Sequence, residues 1–180
     1  MSDRIGEYRL QALVGRGSQG VVHRALARDM LRRALPHANA LGPRGTAQAI
    51  LGLVSMLDAD PGATDVRCML EALATKLMER YRENATSDWR WFETSLTYDN
   101  AILPLALFAA YGVTGERASL RDARESLEFL EEVCFEGGRL QLVGNSGWHS
   151  RGSEKASADE QAIDAAAFVL AFRCAYKVTS

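Results

Sequence analysis

Asp65-Val66-Arg67-Cys68-Met69-Leu70-Glu71-Ala72-Leu73-Ala74-Thr75-Lys76-Leu77-Met78-Glu79-Arg80-Tyr81 sets the fold class. Val66, Met69, Leu70, Leu73, Leu77 and Tyr81 recur at helical spacing and share one face. Glu71, Lys76, Glu79 and Arg82 fall on the other, which reads as solvated surface. One long amphipathic helix needs neighbours to cover its stripe, so the search moves outward for others.

Upstream, Asp60-Pro61-Gly62 is a turn. Before it Thr46 is placed to cap a helix carrying Ile50, Leu53, Val54 and Leu57. An earlier helix is expected over 21–35, ending at Pro36. Downstream, the helical period breaks over 84–98. A helix over 100–111 follows, stopped by Gly112. Ser119 then caps a helix with Leu120, Ala123, Leu127, Leu130 and Cys134 inward. Its charges, Asp122 among them, read as an exposed face. Arg139 to Val143 suggests a short strand, and 144–157 a Gly/Ser-rich loop. The last helix, over 159–177, puts Ile163, Ala166, Ala167, Leu170 and Cys174 inward. The expected fold is all-α: about three antiparallel helical hairpins, with at most a short β hairpin or strand. Residues 1–20 read as an N-terminal extension and 21–180 as one domain.

The 180 residues carry 21 Lys+Arg against 23 Asp+Glu, which argues against a general nucleic-acid binder. The longest apolar run, 101–113, is too short for a bilayer span, which takes about 20 residues. No secretory pattern opens the chain. Cys68, Cys134 and Cys174 are odd in number and far apart, and each is expected on a helix's apolar stripe as a reduced core thiol. These features point to the cytoplasm and away from a membrane partner. His23, His37 and His149 lack metal-ligand spacing, so neither metal nor cofactor is expected.

Gly15-Arg16-Gly17-Ser18-Gln19-Gly20-Val21-Val22 fits G-x-G-x-x-G-x-V and resembles the opening of a bacterial Ser/Thr protein kinase. The resemblance stops after about 25 residues, and no V-A-I-K, H-R-D or D-F-G motif follows. Kinase chemistry is therefore not expected.

The most distinctive run is Asp88-Trp89-Arg90-Trp91-Phe92-Glu93-Thr94-Ser95-Leu96-Thr97-Tyr98-Asp99-Asn100. If residues 88–93 are extended, Trp89, Trp91 and Glu93 share a face. An aromatic pair beside a carboxylate suits a sugar, with rings packing on C–H groups and the acid accepting from hydroxyls. The same two rings equally suit a plug between hairpins. Asp99 and Asp159 are as readily helix caps as ligands, and Arg151 is either an anion anchor or a solvated loop residue.

Trp89-Arg90-Trp91-Phe92-Glu93, Tyr98-Asp99-Asn100-Ala101 and Leu103-Pro104 resemble the W-x-W-F-E…Y-D-N-A-x-L-P signature of a six-hairpin glycosidase-like helical domain. That bacterial domain occurs beside glycosyltransferase modules. Pro43-Arg44-Gly45-Thr46-Ala47, Val143-Gly144-Asn145, Gly147-Trp148 and Asp159-Glu160-Gln161-Ala162-Ile163-Asp164 match further motifs of the family in order. Val22-His23-Arg24-Ala25-Leu26 resembles its G-R-A-L-W helix start. The resemblance implies an α/α toroid, of which this chain has room for about half. It also implies a carbohydrate-associated role. Glu93, Asp99 and Asp164 would then be candidate catalytic acids. Trp89, Trp91, Tyr98, Asn100, Trp148, Arg151, Asp159 and Gln161 would be candidate substrate-binding residues for a saccharide or sugar derivative. Asp164 stands where the family has Glu, one methylene longer. The alternative is a non-catalytic helical interaction domain that pairs with itself or with a glycosyltransferase. A homodimer is expected, because the 101–111 helix is apolar nearly all round and a half-toroid leaves lateral faces open.

Overall fold

The computed structural model describes residues 41–180 throughout and, before them, Arg4–Ile5, Tyr8–Arg9, Leu13–Gly17, Gly20–His23, Arg33 and Leu35–Ala40. The chain divides into two compact units, Met1–Ala40 and Leu41–Ser180. The boundary expected after residue 20 therefore falls after Ala40.

In the first unit β1 (Arg4–Ile5) pairs with β2 (Tyr8–Arg9), and β3 (Leu13–Gly17) with β4 (Gly20–His23), both antiparallel. The glycine motif thus lies on a hairpin, with Gly17 opposite Gly20. This corrects the helix expected from Val21, whose first three residues are strand; most of its remaining span lies outside the described residues.

The second unit is helical. Its α-helices are α1 (Pro43–Ala59), α2 (Thr64–Asn84), α3 (Ile102–Thr114), α4 (Arg117–Cys134) and α5 (Ala162–Thr179). Pro43 opens α1, where its missing N–H costs nothing. Thr46 is therefore inside the helix and not its cap. Helix α4 is capped by Glu116, whose Oε1 accepts from Ala118 N at 3.0 Å. Ser119, the expected cap, instead donates its buried hydroxyl to Leu107 O at 2.9 Å, tying α4 to α3. Helix α3 runs past Gly112 and stops at Gly115, whose φ of 72° only glycine adopts freely.

Helices α1 and α2 form one hairpin and α3 and α4 a second; α5 packs chiefly on α3. Arg44, Asn100 and Asp164 meet in one hydrogen-bonded chain at the starts of α1, α3 and α5. The far ends of the same helices (Asp58, Val113, Lys177) line one cavity of about 500 Å³. Helices α1, α3 and α5 therefore run parallel, side by side, with α3 in the middle.

That central position accounts for the apolar sequence of α3. Residues 102–108 and Ala110 are buried against neighbours on several sides, so the open face expected on this helix is absent. The open apolar surface is on α5. Its buried residues are Asp164, Ala167, Phe168 and Ala171, while Ile163 and Leu170 are 51% and 49% exposed. Ala166 is exposed and Cys174 half-buried, so the expected stripe is rotated by about one residue, or 100°. Two further corrections concern single residues. Asp122 is wholly buried, and Cys68 is exposed.

Sheet is also more frequent than expected, though each strand of the second unit is two residues long. Across Gly137-Gly138, β6 (Phe135–Glu136) pairs with β7 (Arg139–Leu140), while Leu142 and Val143 are buried beyond it. Between α2 and α3, β5 (Ser95–Leu96) pairs with β8 (His149–Ser150). Among the described residues, no helix is long and apolar enough to cross a membrane.

Candidate functional site

The pairing of β5 with β8 sets Ser95 opposite Ser150 and Leu96 opposite His149. It brings the 97–100 turn beside the 144–148 loop. Both sit over the starts of α1, α3 and α5.

Asn100 organises this end of the molecule. Its Oδ1 accepts from Thr97 N at 3.0 Å and from Arg44 Nη2 at 3.1 Å. Its Nδ2 donates to Thr97 O at 2.7 Å, and its backbone N–H to Asp164 Oδ1 at 3.1 Å. Arg44 also donates Nη1 to Glu93 Oε2 at 2.6 Å and Nε to the Tyr98 carbonyl, and its guanidinium lies 4.9 Å from the Tyr98 ring centre. One side chain thus ties residues 93, 98 and 100 to the first turn of α1. Arg44 is not among the site residues expected from the sequence. A cation in the first turn of a helix opposes the dipole, and that mismatch is the signal that marks it.

Asp99 and Asp164 are both buried. Burial pushes the Asp164 carboxyl above the usual range; nearby Asp99 adds to this, while the Asn100 N–H and Arg44 oppose it. Burial raises Asp99 too, against the pull of Arg44. Asp164 Oδ2 is buried with no hydrogen bond of ordinary geometry among the described residues. Glu93 is committed to Arg44 through the ion pair.

The aromatic residues divide. Trp89 and Trp91 are 3% and 0% exposed, so neither offers a ring face to a ligand. Trp89 stacks edge-on against Phe129 at 5.1 Å and donates Nε1 to Glu93 O at 2.7 Å. Trp91 packs on Phe92 and Phe129. They are the plug between hairpins, which corrects their placement in a sugar surface. Tyr98 is 48% exposed and Trp148 half-buried, with ring centres 6.4 Å apart. These two rings form the accessible aromatic surface beside the acids.

Two of the remaining candidates are structural. Arg151 is held by the Asn84 carbonyl and over the Trp89 ring at 5.8 Å, away from the carboxylates. Gln161 is the residue before α5, and its carbonyl accepts from Asp164 N at 3.1 Å. Asp159 is exposed, its carbonyl accepting from Asn145 N at 3.2 Å. Neither Asp99 nor Asp159 caps a helix; Ala101 and Gln161 hold those positions.

Asp99, Trp148 and Asp159 have φ of 48°, 59° and 62°, a region rare for residues with a side chain, and all three lie at this end. Gly144 holds the loop. A Cβ there would come within 2.2 Å of Ala158 O and 2.6 Å of Ala158 N. Among the described residues no group of His, Cys, Asp or Glu could hold a metal.

Compared with family models, curated proteins and solved structures, the chain finds no match.

Proposed function

We propose that the end of the helical unit formed by Tyr98, Trp148, Asp99, Asn100 and Asp164 binds a neutral saccharide, in an α/α-hairpin module arranged as about half a toroid. The observation that carries this reading is Asp164 Oδ2, a buried oxygen with no hydrogen bond of ordinary geometry, at the end of the unit that also presents the Tyr98–Trp148 pair. A sugar hydroxyl supplies the missing donor, and a Tyr98–Trp148 surface takes the apolar face of the ring. Three carboxylates face the single guanidinium of Arg44, three of whose five N–H donors are already used. That balance disfavours phosphate, so an uncharged saccharide suits the site better than a nucleotide sugar. The parallel run of α1, α3 and α5 with α2 and α4 packed against them supports the half-toroid arrangement. The sequence resemblance adds a glycosyltransferase as companion.

The test is calorimetric and fluorescence titration with manno- and gluco-oligosaccharides. Wild-type protein should bind and change its tryptophan emission. Trp148→Ala and Asp164→Asn should each weaken binding at least tenfold while circular dichroism stays unchanged. No response of the wild-type protein at millimolar sugar removes the reading.

A further inference from the structure

Helix α5 has one principal partner, α3, where α3 itself is enclosed by α1, α2, α4 and α5. Helix α1 is covered by α2, and α3 by α4. No described helix stands in the same relation to α5. Its outer face carries Ile163, Val169, Leu170 and Tyr176, which are 51%, 67%, 49% and 75% exposed. Beside it, between α4 and α5, lies a groove of about 250 Å³ with Phe108, Leu127 and Phe172 at its base.

The α4 wall of this groove is charged, and its α5 wall, Phe172, Ala175 and Thr179, is not. The α4 rim carries Glu128 and Glu131 together with Arg124. Burial and the neighbouring Glu128 push the Glu131 carboxyl upward, so like charges there are incompletely offset. The outer face of α5 carries Arg173 and Lys177 and no acid, since Asp164 points inward. A helix that is apolar on one side and basic along the same side matches a groove with an apolar base and an acidic rim. The chain itself carries such a helix in α5.

We infer that α5 is a homodimer interface: the α5 of each copy seats against α5 of the other and along the groove beside its α4. The arrangement is self-complementary, as a two-fold interface requires. Arg173 and Lys177 of one copy meet Glu128 and Glu131 of the other, twice over. An 18-residue helix is about 27 Å long. A strip of that length widened to include the α4 rim approaches the ~800 Å² per partner of a standard interface. The saccharide reading is independent of this, because the site lies at the helix starts and the interface along their flank.

Sedimentation velocity on the full chain across the micromolar range tests it. Wild-type protein should sediment as a dimer of the 19.7 kDa chain. Val169→Glu, at an exposed position, should give a monomer with an unchanged circular dichroism spectrum. Glu128→Lys/Glu131→Lys and Arg173→Glu/Lys177→Glu should each weaken self-association at least tenfold. An equimolar mixture of the two double variants should recover a dimer, since only the mixed pair places opposite charges together at both contacts. A monomeric wild-type protein overturns the inference. So does a Val169→Glu protein that stays dimeric, or a mixture that fails to associate.

Discussion

Asn100 donates its backbone N–H to Asp164 Oδ1 at 3.1 Å across 64 residues of sequence. The bond joins the turn before α3 to the first turn of α5, and it fixes which face of α5 is inward. Helix α5 is rich in Ala, Val and Phe, so its composition alone leaves the face undecided. A buried carboxylate that finds its donors in a single orientation decides it. Asn100→Ala keeps this backbone bond but removes the side-chain bonds around it, and should cost about 2–3 kcal/mol. The substitution leaves Arg44 and Thr97 N without their buried acceptor, and unpaired buried donors cost about 1–3 kcal/mol each before relaxation. Urea denaturation with unchanged m-value checks it.

The buried aspartates should make stability fall as pH rises from 3.8 through their raised folded pKa values. Asp99, Asp122 and Asp164 are buried, and burial raises all three carboxyls above their unfolded value of 3.8. Between the unfolded pKa and the raised folded pKa, the folded state holds more protons than the unfolded one. The slope of unfolding free energy with pH is then negative. Each aspartate destabilises the fold progressively as pH climbs through that window, and the effect levels off above the folded pKa. Denaturation midpoints should fall across that window, while His149, whose pKa burial lowers from 6.5, contributes with the opposite sign at higher pH. Asp164→Asn, which carries no charge to titrate, should flatten part of the fall.

The tryptophans should separate by role. Trp91→Ala removes a fully buried side chain packed on Phe92 and Phe129, and such truncations cost about 3–5 kcal/mol. Its emission should also be the least accessible to a soluble quencher such as acrylamide. Trp148→Ala, at a half-buried position with a φ of 59°, should leave the thermal midpoint within a few degrees. Thermal melts and quenching of the two single variants distinguish them.

All five helices of the second unit are legible in the sequence, α2 most directly: its Val66, Leu70, Leu73, Leu77 and Tyr81 are buried as their spacing implies. What escaped was decided by long-range pairing. Asp122 reads as one more charge on an acidic helix, yet it is buried, with Arg121 forking onto its Oδ1 at 3.0 and 2.8 Å. Trp89 and Trp91 lie in irregular backbone, which ordinarily runs over the surface, but here that backbone closes the gap between hairpins. Of the site, Asp99, Asn100, Asp164, Tyr98 and Trp148 were named from their motifs and do converge. Arg44 was not, because its partners lie 49 to 56 residues away. In the first unit, the helix expected from Val21 gives way to the β3–β4 hairpin, which pairs residues far too few apart for helical periodicity to register.

Arg44→Lys should damage the site more than a conservative exchange suggests. The guanidinium holds three acceptors at once, Glu93 Oε2, Asn100 Oδ1 and the Tyr98 carbonyl, in a planar fork over the Tyr98 ring. An ammonium is a point donor and cannot reach all three from one position. The side chain of Arg44 is 12% exposed, so water does not replace the lost bonds freely. The expected loss is about 1–3 kcal/mol of stability, the cost of leaving one or two buried polar groups unpaired. Saccharide binding should fall more than stability does, because Tyr98 loses both its backbone anchor and the cation beneath its ring. Arg44→Ala should be worse on both measures, with Glu93 left as an unpaired carboxylate. Calorimetric titration beside denaturation of the two variants reads both effects. An Arg44→Lys protein with wild-type affinity and stability would show that the fork does not organise the site.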